Sequence, residues 1–191
     1  MEINILASKS PRRKYLLEQI GFKFSVIQSD FSEDLNSGLP PNALAETLAR
    51  GKALKIAKMY RNNIIIGADT IVFNSEKVFG KPSNEEERII MLNDLSGRSH
   101  EVITGVSLIS LNKGIDHTFN HRTVVKVKPI TKEELRFYSK NFKGLDKAGG
   151  YGIQNGFSIF IEEIQGCYFN VMGFPLSSFY KHYKNIFKSF Y

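Results

Sequence analysis

The order of elements narrows the fold more than any other feature of the chain. Residues 102–111 and 115–127 are two strand-like runs joined across Asn112-Lys113-Gly114, and they read as one long antiparallel pair near the middle of the sequence. Ahead of the pair, residues 2–7 read as a short strand. It runs into Ser8-Lys9-Ser10-Pro11, where Ser10 caps a helix and Pro11 takes its first position. That helix continues through Leu16, Leu17 and Ile20 and stops at Gly21, and residues 22–27 form a second strand. A polar loop containing Pro40 and Pro41 precedes an amphipathic helix over 43–60, with Leu44, Leu48, Ala53, Ile56 and Met59 near helical spacing.

Residues 63–73 are a strongly apolar strand, interrupted by Gly67-Ala68-Asp69-Thr70, and a turn over 74–77 leads to a short strand ending at Gly80. Ser83 and Glu86 have capping-box spacing for a helix reaching Leu95, and Thr131 and Glu134 repeat it for a helix reaching about Asn141. A glycine-rich segment, 149–156, precedes a strand over 158–164, and Pro175 opens a terminal helix. The sum is mixed α/β or α+β. It lacks the regular βαβ alternation of a doubly wound Rossmann sheet.

The chain can bury a core of this kind without staples. Its 191 residues are 42% hydrophobic, with 15 Phe and 8 Tyr, which excludes intrinsic disorder and suits a single domain. One cysteine, Cys167, excludes an internal disulfide framework, and the four histidines show no metal-ligand spacing. The first basic cluster follows the first apolar run, the reverse of a signal peptide, and no apolar stretch approaches the roughly 18 residues of a membrane span. A cytoplasmic protein with no membrane partner is therefore expected. The net charge of +7 fits nucleic acid, an anionic membrane, a phosphorylated small molecule or a solvated lysine-rich surface.

Four places break local rules. Arg12-Arg13-Lys14 puts three cations in the first turn of a helix, where free N–H groups and the macrodipole disfavour them. A bound anion would reverse that penalty, with Ser8 and Ser10 as further donors; a solvated basic turn is the other reading. Asp69 lies inside the apolar run IIIGADTIVF, so its carboxylate must be paired, hydrogen-bonded, metal-bound or protonated. It is either functional or a structural tie at a strand bend. Lys81 sits between Gly80 and Pro82 just after a strand, and alone it reads as a turn lysine. Lys52 reads as a solvated helix lysine, and Glu33 as an ordinary loop carboxylate. In Asp146-Lys147-Ala148-Gly149-Gly150-Tyr151-Gly152-Ile153-Gln154, three glycines around a Tyr and a Gln suggest backbone close to a ligand and an amide able to read a base edge; a hinge is the alternative. Together these cations, carboxylates, hydroxyls and the amide suit a metal-assisted phosphoryl site.

The same residues resemble the Maf family of nucleotide pyrophosphatases. The resemblance is carried in order by Ser8-Lys9-Ser10-Pro11-Arg12-Arg13, Gly67-Ala68-Asp69-Thr70, Gly80-Lys81-Pro82 and Leu95-Ser96-Gly97-Arg98-Ser99-His100-Glu101-Val102. It continues through the 146–154 segment and Gly166-Cys167-Tyr168-Phe169-Asn170 to Leu176. It implies a long, twisted mixed sheet with two α/β lobes and a central cleft, related to inosine triphosphate pyrophosphatases, in a single domain over 1–191 that usually dimerises. It implies hydrolysis of a nucleoside triphosphate to the monophosphate and pyrophosphate, a house-cleaning of the nucleotide pool that requires a divalent metal, Mg²⁺ or Mn²⁺. Carried over by position, Asp69 is the general base and Glu33 assists the metal, with Glu33 and Asp69 as its ligands. Lys52, Lys81, Arg12 and Arg13 neutralise the triphosphate, and Ser8 and Ser10 hydrogen-bond to it. Thr70 and Gln154 read the pyrimidine. Arg12 with Thr70 and Gln154 resembles the subgroup acting on dTTP and UTP, whereas the 7-methyl-GTP subgroup typically has a Trp after the Pro of the first motif, and this chain has no Trp. Asn155 departs from the family, which often has Gly there. The competing reading from another class is a nucleic-acid or cell-division regulatory module, resting on the basic stretches 122–132 and 181–188; nucleic acid is not the partner expected from the motifs.

Overall fold

The computed structural model describes residues 4–188 and 190; Glu2 and Ile3 of the expected first strand lie outside them. Among the described residues, β1 is Asn4–Leu6, α1 Pro11–Gln19, β2 Phe24–Val26, α2 Pro41–Ala57, β3 Ile65–Phe73, β4 Val78–Phe79 and α3 Glu85–Leu95. The hairpin is β5 Ser99–Ser110 and β6 Ile115–Val127; then come α4 Lys132–Asn141, β7 Ile161–Gln165, α5 Tyr168–Val171 and α6 Leu176–Phe187. The strands form one mixed sheet in the order β2-β1-β3-β5-β6-β7, with β4 also on β3. Pairing is parallel for β1 with β2 and β3, and antiparallel for β3 with β4 and β6 with β7.

Local chemistry explains the elements. Ser10 caps α1 by accepting from the Arg13 N–H, with Pro11 at the first position, and Gly21 follows the helix at φ +69°. Thr131 and Glu134 complete both halves of the expected capping box on α4. For α3 the cap is Asn84, whose side chain accepts from Glu87 N, rather than Ser83; the Ser83 hydroxyl donates instead to the Glu87 carboxylate. The expected interruption at Gly67–Thr70 is absent, because β3 runs unbroken through it with a paired Asp69. The strand expected from 158 begins at Ile161, since residues 156–160 form a 3-10 turn started by the Asn155 side chain accepting from Phe157 N.

The chain divides into two compact units. The first comprises Met1–Thr70, Thr104–His121 and Gly173–Tyr191, and the second Ile71–Ile103 and Arg122–Met172. In the first, Ile5, Ala7, Ala53, Ile56, Ile65 and Ile109 belong to a fully buried cluster under α2. In the second, Tyr138, Tyr151, Phe157 and Phe160 form a buried aromatic group beside α4. No helix among the described residues is long and apolar enough to cross a membrane.

Candidate active site

The first unit assembles a charged cluster through close backbone packing. Gly67 and Asp69 share one face of β3, because side chains alternate along a strand. A Cβ at Gly67 would stand 2.2 Å from the Ala49 carbonyl and 2.8 Å from Ala53 Cβ, so α2 lies directly on the strand. That contact lays Lys52, between Ala49 and Ala53, over Asp69. Gly105 does the same on β5, where a Cβ would stand 2.1 Å from the Ala45 carbonyl. Gly51 admits the Phe31 ring against α2, within 2.3 Å of where its own Cβ would stand, and this brings the 27–40 loop and Glu33 to the helix.

The result is a lysine held between two carboxylates. Lys52 Nζ donates to Asp69 Oδ1 and lies 2.7 Å from Glu33 Oε1. Lys52 is 8% and Asp69 5% exposed. An uncompensated carboxylate at that depth would be very costly, and the ammonium supplies the countercharge. The solvated lysine expected at position 52 is therefore a buried one. The sequence carried the signal: Lys52 falls on the same helical stripe as Leu48, Ala49, Ala53 and Ile56, all buried.

A second network starts one residue along, at Thr70. Arg13 donates through Nε to the Gly173 carbonyl at 2.9 Å, through Nη1 to Ser8 Oγ at 3.1 Å and through Nη2 to Thr70 Oγ1 at 3.0 Å. Thr70 Oγ1 also lies 3.0 Å from Thr104 Oγ1. Ser8 Oγ accepts from the Ser10 N–H as well, at 3.2 Å. Both its lone pairs are then used, which leaves the hydroxyl proton for an acceptor such as a phosphate oxygen. Burial lowers the Arg13 pKa, and the charge of Asp69 opposes that shift. Of the three cations opening α1, Arg13 thus turns inward, Arg12 is half-buried, and Lys14 is exposed and pairs with Glu18 at 3.7 Å. Glu33, Lys52 and Asp69 form one cluster, and Ser8, Ser10, Arg13 and Thr70 adjoin it through β3.

Lys81 and Gln154 belong to the second unit. Lys81 is exposed after β4, and the preceding Gly80 carbonyl accepts from Gly149 N at 3.0 Å, which ties the glycine-rich segment to that strand end. Gly149 and Gly150 have φ of +68° and +74°, a left-handed pair that side-chain-bearing residues rarely adopt. Gln154 is exposed on a turn closed by Asn155 N donating to the Gly152 carbonyl at 3.3 Å. His100 Nε2 lies 2.7 Å from Tyr151 Oη, and burial lowers its pKa to about 4, so the ring is neutral at physiological pH. Sequence reasoning did not single out Arg88, Tyr138 or His100 as supports of this segment.

Asp69 and Glu33 are held on one ammonium, and carboxylate oxygens suit a hard divalent cation that takes its remaining ligands from phosphate oxygens and water. Among the described residues no group of three or more His, Cys, Asp and Glu side chains is placed to hold a metal. The basic stretch 122–132 is partly neutralised, Arg122 by Glu101 at 2.7 Å and Lys126 by Glu162 at 2.9 Å.

The chain is similar to known proteins along nearly its whole length. The family model described as Maf-like protein matches residues 4–186. A dTTP/UTP pyrophosphatase of Carboxydothermus hydrogenoformans is 46% identical over 176 residues, 92% of this chain and 94% of that protein. One from Desulforamulus reducens is 44% identical over 173 residues, 91% of each chain. One from Bacillus cereus is 44% identical over 180 residues, 94% of this chain and 93% of its own.

Proposed function

The chain belongs to the Maf family, and we propose that it hydrolyses a pyrimidine nucleoside triphosphate, dTTP or UTP, to the monophosphate and pyrophosphate. The observation that carries the reading is the buried Lys52 held between Asp69 and Glu33, next to the hydroxyl and guanidinium network at Thr70. Asp69 takes a proton from the attacking water, whose oxygen bonds to the α-phosphorus while the bond to the β-bridging oxygen breaks. Pyrophosphate leaves with that oxygen. Lys52 fixes the carboxylate's direction and supplies positive charge toward the phosphates, where a lysine acts as a compact point charge. Ser8 donates its hydroxyl proton to a phosphate oxygen, and Arg13 keeps Ser8 and Thr70 in register.

Glu33 and Asp69 would hold the divalent cation, Mg²⁺ or Mn²⁺, which when bound supplies charge neutralisation and Lewis-acid polarisation. Arg12, Lys81 and Ser10 are assigned to the triphosphate, and Thr70 and Gln154 to the base, by their match to the family motifs. Family resemblance also supports a cytoplasmic homodimer. The test is incubation with Mg²⁺ or Mn²⁺ and a panel of triphosphates, followed by product separation. Pyrophosphate and the monophosphate from dTTP and UTP are expected. Orthophosphate release, or no turnover of any triphosphate, overturns the reading.

A further inference from the structure

The turn that presents Gln154 is held at both ends by one hydroxyl. Tyr138, on α4, is 1% exposed. Its Oη donates to Asn155 Oδ1 at 3.0 Å and accepts from the Gly152 N–H at 3.2 Å. Only Ile153 and Gln154 lie between these two partners. Ile153 is buried and Gln154 exposed, so the clamp fixes which of the two side chains faces outward. Asn155 Oδ1 also accepts from Phe157 N at 3.3 Å and so joins the turn to the following 3-10 segment. A Gly at 155 would offer Tyr138 no side-chain acceptor.

Tyr138 is braced in turn by Arg88 of α3, which is fully buried. The guanidinium lies 5.0 Å from the Tyr138 ring centre and donates through Nε to the Gly150 carbonyl at 2.8 Å. Its Nη1 donates to the Glu85 carboxylate at 3.1 Å and to the Ser139 carbonyl at 3.3 Å. A Cβ at Gly144 would stand 2.2 Å from Arg88 Nε, so the chain makes room for this group by having none. Arg88 therefore holds the segment upstream at Gly150, and Tyr138 holds it at Gly152 and Asn155.

We infer that Tyr138, braced by Arg88, is a positioning residue that sets Gln154 for discrimination between bases. It touches neither phosphate nor base itself. The inference rests on the reading of Gln154 as the base-reading amide. Tyr138→Phe removes one oxygen and keeps the ring against Arg88, Phe142 and Phe157. It leaves the Gly152 N–H and the Asn155 side chain without that partner, and loss of such a bond is worth about a tenfold change in an equilibrium.

The test measures kcat and KM for dTTP and dATP. It also measures, by calorimetry, Kd for their α,β-methylene analogues, which separates base reading from turnover. In wild-type protein and in Gln154→Ala, Tyr138→Phe, Asn155→Ala, Asn155→Asp and the Gln154→Ala/Tyr138→Phe double variant, thermal midpoints record folding. Gln154→Ala is expected to reduce the pyrimidine preference in both Kd and kcat/KM. Tyr138→Phe is expected to reduce it about tenfold, through KM with kcat within about twofold, and Asn155→Ala to do the same. Asn155→Asp retains the acceptor and the preference. The double variant loses no more preference than Gln154→Ala alone. If Gln154→Ala reduces the preference while Tyr138→Phe and Asn155→Ala leave it intact, the positioning role is overturned and base reading by Gln154 stands. If Gln154→Ala changes neither ratio, base reading fails and the positioning role falls with it. If the analogues bind with the expected preference but no triphosphate turns over, the hydrolysis reading alone has failed.

Discussion

In the first unit the general base and its countercharge are themselves buried and answer one another; in the second the group that would meet the base is exposed, and what is buried holds its backbone. Lys52, Asp69 and Arg13 are each under a tenth exposed, and their charges are balanced by neighbours within the same unit. Gln154 stands in solvent on a turn pinned by Tyr138, Arg88 and Asn155. The contrast follows from the task each set is given. A general base and its countercharge gain from low dielectric, where electrostatic interactions strengthen. An amide that must hydrogen-bond an incoming edge needs to be uncommitted yet fixed in direction, so its support is placed behind it.

If that contrast is right, the largest single effect in the molecule belongs to Asp69. Asp69→Asn keeps the size of the side chain and removes the proton acceptor. A fall in kcat of roughly 10²–10⁴ is expected, the usual worth of a general base, with circular dichroism unchanged. A fully active, folded variant would break the assignment. Lys52→Met comes next and strikes at stability. It leaves Asp69 buried without its counterion, and loss of one partner of a buried pair costs about 3–5 kcal/mol. In a chain of this size that is a fall in melting midpoint of about 10 °C. Added Mg²⁺ should restore part of it in the variant if the two carboxylates hold the ion. A midpoint blind to Mg²⁺ would remove the metal from the cluster.

How much of this was legible from sequence differs between the units for the same reason. Asp69 broke a rule visible in one line of text, a carboxylate within an apolar strand, and Arg12-Arg13-Lys14 broke another at a helix start. The supports of the glycine-rich segment break no rule so plainly. Arg88 and Tyr138 sit on helices, 66 and 16 residues before Gln154, and look like ordinary amphipathic-helix residues. Yet three cations share one trait. Arg13 lies on the stripe of Leu16 and Leu17, Lys52 on that of Leu48 and Ile56, and Arg88 on that of Met91, Leu92 and Leu95. A cation on the apolar face of a helix must find its partners inside the protein, and each of these does. Pattern alone could locate all three. It could not say what they hold, because the acceptors at Gly173, Asp69 and Gly150 are chosen by tertiary packing. The strand order and the unbroken β3 were likewise beyond local propensity, since pairing of Asp69 with Lys52 decides whether a strand can pass through that position.

The comparison also predicts different responses to acid. In the second unit His100 stays neutral in the folded chain down to about pH 4, against an ordinary value of 6.5, because burial disfavours the charged ring. Between those values the unfolded chain binds the extra proton. Stability attributable to this residue is therefore complete above about pH 6.5 and is lost as pH falls toward 4, by about 3 kcal/mol in all. His100→Gln keeps an amide for Tyr151 and carries no such proton. Denaturant unfolding at several pH values should show wild type losing more stability than the variant across that window. Parallel curves would place the ring in contact with water.

The smallest effect sharpens the contrast best, because it applies one substitution in both units. Ser10 caps α1 and Thr131 caps α4, and each accepts a backbone N–H of the first turn. Replacing either by Ala should cost about 1 kcal/mol of stability, the ordinary worth of a cap. Their functional consequences should part. Ser10 sits inside the network of Ser8 and Arg13, and its N–H donates to Ser8 Oγ, so Ser10→Ala disturbs groups assigned to the triphosphate and lowers kcat/KM as well. Thr131 lies seven residues before Tyr138, at the far end of α4 from its clamp, and the rest of the helix is held by buried Leu135 and Tyr138. Thr131→Ala should lower the melting midpoint by a few degrees and leave both kcat/KM and the preference for dTTP over dATP unchanged. Equal losses of activity from the two caps would show that the second unit transmits helix fraying to Gln154. Its buried support would then be softer than the clamp geometry requires, and the distinction between a unit that carries out the chemistry and a unit that holds a reader in place would fail at that point.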